Sequence, residues 1–321
     1  MIFLCYNENI FLWGKGDGMA LDTVIKQIIS LFIIALIGFY GRKKGIIDDA
    51  LSKGLSRLLL EISTPLLIIS SFGFTKDPSM AGNIIKAFVY GFIIFAVTPI
   101  LVNILFGKIE ARKKKILVFA NVFSNCGFMG FPLAQSVMGH EGVVYASIFN
   151  MYFNIVLWTY GIMLFNDTKE LKEVKKLATN PGIIAALIGI IIMIFSIQIP
   201  PILLDTMKTV GGLTTPISML IIGSLLASTD FSKAVKDATI YYGSIVKLIL
   251  IPGLIFAATI VFKENSIVLK TFILMQAMPA AATTSLFAEN FDSEKEYSAL
   301  IVSVTTLLSM ITLPLVIRFL L

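Results

Sequence analysis

Two polar, helix-breaking stretches stand inside otherwise apolar sequence. The first is Asn121-Val122-Phe123-Ser124-Asn125-Cys126-Gly127-Phe128-Met129-Gly130-Phe131-Pro132. Proline lacks a backbone donor and clashes with the preceding turn, and glycine lowers the cost of unwinding, so a helix is expected to break here. In lipid, the freed backbone groups are tolerable only where they line a cavity or are buried in protein. The half-helix that restarts beyond the break presents free N–H groups and a positive dipole end, the outline of an anion site. Asn125 can add amide donors to a carboxylate, and Asn121 lies one turn away on the same face. For a single motif of this kind, a kinked helix packing closely through its glycines is the plainer expectation. The second stretch, Gln276-Ala277-Met278-Pro279-Ala280-Ala281-Ala282-Thr283-Thr284-Ser285, shifts the balance. Its small residues permit close approach, and the Thr283 and Thr284 hydroxyls can re-satisfy freed backbone groups. Two facing breaks point to a binding site between them, flanked by Asn121, Asn125, Gln276, Thr283 and Thr284.

Other polar residues within apolar runs are open to two readings. Asn150 and Asn154 are four apart and share a helix face, where they serve either as contacts for a substrate or coupling cation or as an interhelical hydrogen bond. Glu61 is an ionisable residue inside a run and so a functional candidate. With Arg57 one turn earlier, an ion pair is the plainer expectation. Lys247, some way into the eighth run, either attracts an anion or runs its stem along apolar surface and carries its ammonium toward the cytoplasm, and the second is the plainer expectation. His140 and Glu141 are assigned to a short external turn.

The elements that must position these residues follow from composition. Of 321 residues 57% are hydrophobic and 14% charged, which a water-facing globular surface would not tolerate. A crossing takes roughly 20 apolar residues. Ten runs qualify: 24–40, 51–71, 84–106, 116–138, 143–165, 183–199, 203–227, 238–262, 268–288 and 297–320. The expected fold is an all-α membrane protein. Most Lys and Arg fall in one set of alternate connections, including Arg42, Lys43, Lys44, Arg112 to Lys115, Lys172, Lys175, Lys233 and Lys236. The positive-inside rule then puts both termini on the non-cytoplasmic side of the cell membrane.

Five runs per half force the second half to enter from the opposite side, making the halves inverted repeats. Thr64-Pro65 in the second run matches Thr215-Pro216 in the seventh. Pro99 and Pro252, then Pro132 and Pro279, continue the order. Paired broken helices in inverted repeats are a transporter architecture. The expected divisions are an extension at 1–18, repeats at 19–165 and 181–321, and a short cytoplasmic linker at 166–180. Met19 is an alternative start, since 1–18 lacks the basic and small-residue features of a signal peptide.

The net charge of +6 comes from residues at the ends of runs and not from a basic patch with aromatics, so no nucleic acid partner is expected. Two cysteines, Cys5 and Cys126, and one histidine make a disulfide framework or metal site unexpected. The sequence lacks HExxH, GxSxG and Walker motifs, so neither catalysis nor ATP-driven pumping is expected.

Asn125 to Pro132, Asn180-Pro181, Pro216 to Ala227, Met278-Pro279-Ala280 and Leu313-Pro314 together resemble the auxin efflux carrier family, from about Met19 onward. That family includes the plant PIN-formed carriers and microbial permeases credited with malate or malonate transport, and is similar in fold to bile acid sodium symporters. The resemblance implies a scaffold of the first, second, sixth and seventh spans. The other six form a transport core whose fourth and ninth spans cross at their breaks. It also implies substrate contacts at Asn125, Gly127, Gly130, Pro132 and Pro279. The short linker makes auxin itself a poor fit.

The expectation is therefore a secondary carrier of a small organic anion, without cofactor, with coupling to H⁺ or Na⁺ open. A sodium symporter of the bile acid type and an anion channel are the alternatives. The expected partners are the anion and membrane lipid, and association as a homodimer stays open.

Overall fold

The computed structural model describes residues 17–73, 79–165, 179–229 and 237–320. The extension (1–16), with Cys5, and the body of the linker (166–178) lie outside the described residues.

The described chain is helical. In order the helices are α1 (Asp17–Lys43), α2 (Asp49–Phe72), α3 (Ser79–Leu105), α4 (Ala111–Val122), α5 (Cys126–Phe165) and α6 (Pro181–Ile194). There follow α7 (Pro201–Ser228), α8 (Ala238–Val261), α9 (Ile267–Gln276), α10 (Thr283–Asn290) and α11 (Lys295–Leu320). Among the described residues, six helices are long and apolar enough by themselves to cross a membrane: α2, α3 from Gly82, α5, α7, α8 and α11.

Side chains at the helix starts take up orphan N–H groups. Asp48 accepts from Leu51, Asn180 from Ile183, and Asp237 from Thr239. Prolines shape the interiors. One-turn π segments occupy Leu59–Ser63, Cys126–Gly130 and Val246–Leu250, just ahead of Pro65, Pro132 and Pro252. A proline ring collides with the carbonyl four residues back. That residue is Glu61, Phe128 or Leu248, the middle of each π segment, where the widened turn swings the carbonyl aside.

Helix α5 is two arms. At Gly139 the backbone leaves helical geometry (φ 65, ψ −154). The Cys126 thiol nevertheless donates to Asn150 Oδ1 at 3.3 Å. A straight helix would separate residues 24 apart by about 36 Å, so the chain doubles back at this glycine.

The helices pack in two groups. In one, α1 runs along the second half of α7, while the end of α2 packs on α6 and on the start of α7. Glycines set this spacing: a Cβ at Gly38 would strike the Leu220 carbonyl, one at Gly223 the Ala35 carbonyl, and one at Gly189 the Phe72 ring. Ser63 Oγ lies 2.8 Å from Thr214 Oγ1 and donates to the Val210 carbonyl at 2.9 Å. The other group comprises α3, α4, α5, α8, α9, α10 and α11, and it shares with the end of α2 and with α6 a core rich in aromatics, including Phe119, Phe123, Phe149 and Phe272. The first group is thus made of α1, α2, α6 and α7.

Candidate functional site

The two breaks meet. Helix α4 stops at Val122, Phe123 is extended (φ −98, ψ 105), and α5 begins at Cys126. Opposite, α9 stops at Gln276 and α10 begins at Thr283. Ser124 and Ala280 pair as an antiparallel bridge. Asn125 N–H donates to the Pro279 carbonyl at 2.8 Å and Ala281 N–H to the Phe123 carbonyl at 2.9 Å. Thr305 of α11 closes the account by accepting from Ala280 N–H at 3.1 Å. Each break thus supplies a backbone partner to the other, as an apolar setting favours.

The side chains divide by what they touch. Asn125 caps α5, its Oδ1 accepting from Phe128 N–H at 3.2 Å. Asn121 is fully buried; its Nδ2 donates to the Leu117 carbonyl at 2.9 Å, and its Oδ1 accepts no hydrogen bond. Gln276, also fully buried, has its Oε1 3.4 Å from the Ser124 hydroxyl, while its Nε2 donates to nothing. The hydroxyls of Thr283 and Thr284 are buried without partners. Gly130 lies against the Met275 thioether, where a Cβ would come within 2.8 Å of sulfur. Gly127 approaches Leu60 of α2, so this turn faces the other helix group.

Pro132 is the displaced member of the predicted pair. The helix breaks at 123–125, and Pro132 stands within the resumed helix, at the start of its α-helical part. The π segment at Cys126–Gly130 accommodates it there, by swinging the Phe128 carbonyl clear of its ring. Pro279, by contrast, is at the crossing itself, so its spatial counterpart is the Ser124-Asn125 pair.

Asn150 joins the two arms of α5, and Asn154 acts between helices. Asn150 accepts from Cys126, at the break, while Asn154 Oδ1 accepts from Asn180 Nδ2 at 2.9 Å, joining α5 to the cap of α6. Glu61 pairs with Arg57 at 2.9 Å, both exposed.

Sequence reading missed Ser124, and of the two readings open for Lys247 the structure sets aside the outward one. Instead of reaching outward, the Lys247 side chain is fully buried. Its Nζ donates to Ser124 Oγ at 2.6 Å and to the Asn121 carbonyl at 3.2 Å. Helix α8 is apolar nearly all round, so its pattern does not reveal which face turns inward. The available signal was position, five residues before the Pro252 that widens this turn.

Comparison with known proteins agrees with this architecture. A family profile described as membrane transport protein matches residues 23–175 and again 168–317, one match on each half. An uncharacterized transporter of Methanocaldococcus jannaschii is 22% identical over 300 residues, 90% of this chain and 96% of the relative. One of Methanothermobacter thermautotrophicus is 22% identical over 303 residues, 90% and 96%. The uncharacterized transporter YfdV of Escherichia coli is 21% identical over 309 residues, 92% and 97%.

Proposed function

The chain belongs to the membrane transport protein family, the group that includes auxin efflux carriers, and is a multi-pass membrane transporter; from that premise we propose that it is a secondary carrier of a small organic anion working by alternating access. Ten crossings in two inverted halves make up the carrier, with both termini outside the cytoplasm. Membrane potential acting on the anion, or a gradient of H⁺ or Na⁺, drives the movement.

The supporting observation is the crossing held by Asn125 N–H and the Pro279 carbonyl. Two helix N-terminal ends, at Cys126 and Thr283, start from it. Such ends concentrate partial positive charge. Gln276 and Asn125 add neutral amide donors, which orient a carboxylate without adding charge, whereas the spare group of Asn121 is an acceptor. The grouping of α1, α2, α6 and α7 against the remaining helices supports relative movement of two bodies around that site.

The test is flux of labelled malate, malonate and indole acetate in proteoliposomes, with and without imposed potential, Na⁺ and pH gradients. Saturable flux of a carboxylate is expected. No flux of any carboxylate under an imposed potential would sink the reading. Unsaturable ohmic flux would replace the carrier by a channel, and strict Na⁺ dependence would move it to the symporter type.

A further inference from the structure

Among the described residues Lys247 is the one charged side chain that is buried. Its hydrogen-bond acceptors, Ser124 Oγ and the Asn121 carbonyl, are both neutral. The titratable side chain close enough to act on it is the Cys126 thiol, and no described carboxylate pairs with it. An ammonium removed from water needs a counter-charge as well as hydrogen bonds. Lysine has three donors, and two are used here.

A second observation lies on the other side of Ser124. The Gln276 side chain is fully buried, and its Nε2 donates to nothing. Two side chains that flank one hydroxyl at the crossing thus both have an N–H to spare. What would satisfy them is an acceptor, and what would balance Lys247 is a negative one.

The charge belongs to one repeat only. Five residues before Pro252 stands Lys247, and five before the matching Pro99 stands Ile94, also buried. The crossing therefore has a single charge on one side, in a π turn of the kind that recurs at functional sites.

We infer that Lys247 is the counter-ion of the transported anion and that, with one buried positive charge to offer, the crossing takes singly charged organic anions. A dicarboxylate enters only in its half-protonated form, because a dianion would keep one uncompensated negative charge out of water. The inference rests on the anion-carrier reading and sharpens its substrate class.

The test compares labelled butyrate, benzoate and indole acetate with malonate and malate at neutral pH, in proteoliposomes holding wild type, Lys247→Met or Lys247→Gln. Wild type should move at least one monocarboxylate faster than either dicarboxylate. Loss of a buried charge partner should cut that flux on the order of thirtyfold in Lys247→Met. The melting temperature of ligand-free Lys247→Met should be unchanged or raised, because an unbalanced charge has gone; a merely structural lysine would lower it. Should Lys247→Met fail to fold, Lys247→Gln keeps a donor for Ser124 without the charge, and its flux should fall alike. Flux retained in a folded charge-free variant, or preference for the dianions with Lys247 intact, overturns the inference while leaving the carrier standing. Folded wild type that moves no anion overturns the carrier reading and the inference with it.

Discussion

The backbone N–H of Asn125 donates to the carbonyl of Pro279 across 2.8 Å, joining two residues 154 positions apart at the one place where both of their helices are broken. Each break would be costly alone in an apolar setting, since unpaired backbone groups there find no water. Paired, they form a short antiparallel bridge that fixes the crossing while leaving side chains free for a ligand. Lys247, Ser124, Asn121 and Gln276 all meet at that bridge.

Asn125 has a side-chain task separable from its backbone one. Asn125→Ala removes the cap on Phe128 N–H and should cost about 1 kcal/mol. Asn125→Asp keeps the cap but brings a negative charge to the site. Thermal melting in detergent should therefore fall for the alanine variant and hold for the aspartate one, while carboxylate flux falls in both. Full flux in the aspartate variant would remove Asn125 from the anion's surroundings.

The crossing is legible in the sequence as two clusters of Gly, Pro and small or polar residues inside apolar runs, although Gly127, Gly130 and Pro132 themselves lie just beyond the first break, in the resumed helix. Its register is not legible. Nothing local tells that Ser124 faces Ala280, or that Pro132 belongs to the resumed helix and not to the break. The Arg57 to Glu61 pair could be read at once, being one turn apart on one helix. Asn154 could not be assigned, because its partner Asn180 opens the other half of the chain. The sequence favours the outward reading of Lys247 over the anion-attracting one for a related reason: an apolar helix has no polar face by which to judge which side meets its neighbours.

The α1 to α7 contact depends on missing side chains. A Cβ at Gly223 would collide with the Ala35 carbonyl, which is backbone and cannot rotate away. Gly223→Ala should destabilise by about 1–3 kcal/mol, as overpacking does. Gly253→Ala on α8 is the control, since a Cβ there meets nothing within 4 Å. It should be neutral or stabilise by roughly 0.5–1 kcal/mol through lower backbone entropy in the unfolded chain. Melting curves of the two purified variants decide it, and equal losses would contradict the packing.

A polar cluster ties together the starts of α4, α8 and α11. Lys113 Nζ lies 2.6 Å from Asp237 Oδ2 and 5.4 Å from the Tyr297 ring centre, and Tyr297 OH lies 2.7 Å from Thr239 Oγ1. Although partial burial opposes it, hydrogen bonds from Lys113 and Thr239 hold the Asp237 carboxyl below its usual range, while the bond to Asp237 pushes Lys113 up. For Asp237, with its pKa depressed on folding, the stabilisation is present above the ordinary carboxylate value and disappears as pH falls through the lowered one. For Lys113, raised on folding, it is present below the ordinary lysine value and disappears as pH rises through the higher one. The pair is partly exposed, so Lys113→Met should cost at most about 1 kcal/mol. The difference in melting temperature between wild type and variant should be flat from about pH 5 to 9 and shrink only in stronger acid or base. A difference that grows on acidification would contradict this assignment.

If one helix group moves against the other, the hydrogen bonds between them must break on every cycle. Thr229, at the end of α7, and Ser303 of α11 form such a link, their hydroxyl oxygens 2.7 Å apart. The exchange of one hydroxyl contact for another costs little, as suits a contact made and broken repeatedly. A disulfide in its place would not yield. In a chain with Cys5→Ser and Cys126→Ser, the double variant Thr229→Cys, Ser303→Cys should carry carboxylate flux when reduced, lose it when oxidised, and regain it with reductant. Each single cysteine variant should be indifferent to oxidant. Full flux in the oxidised, cross-linked protein would mean that α7 and α11 stay together throughout transport, and that the moving boundary lies elsewhere than between these two groups.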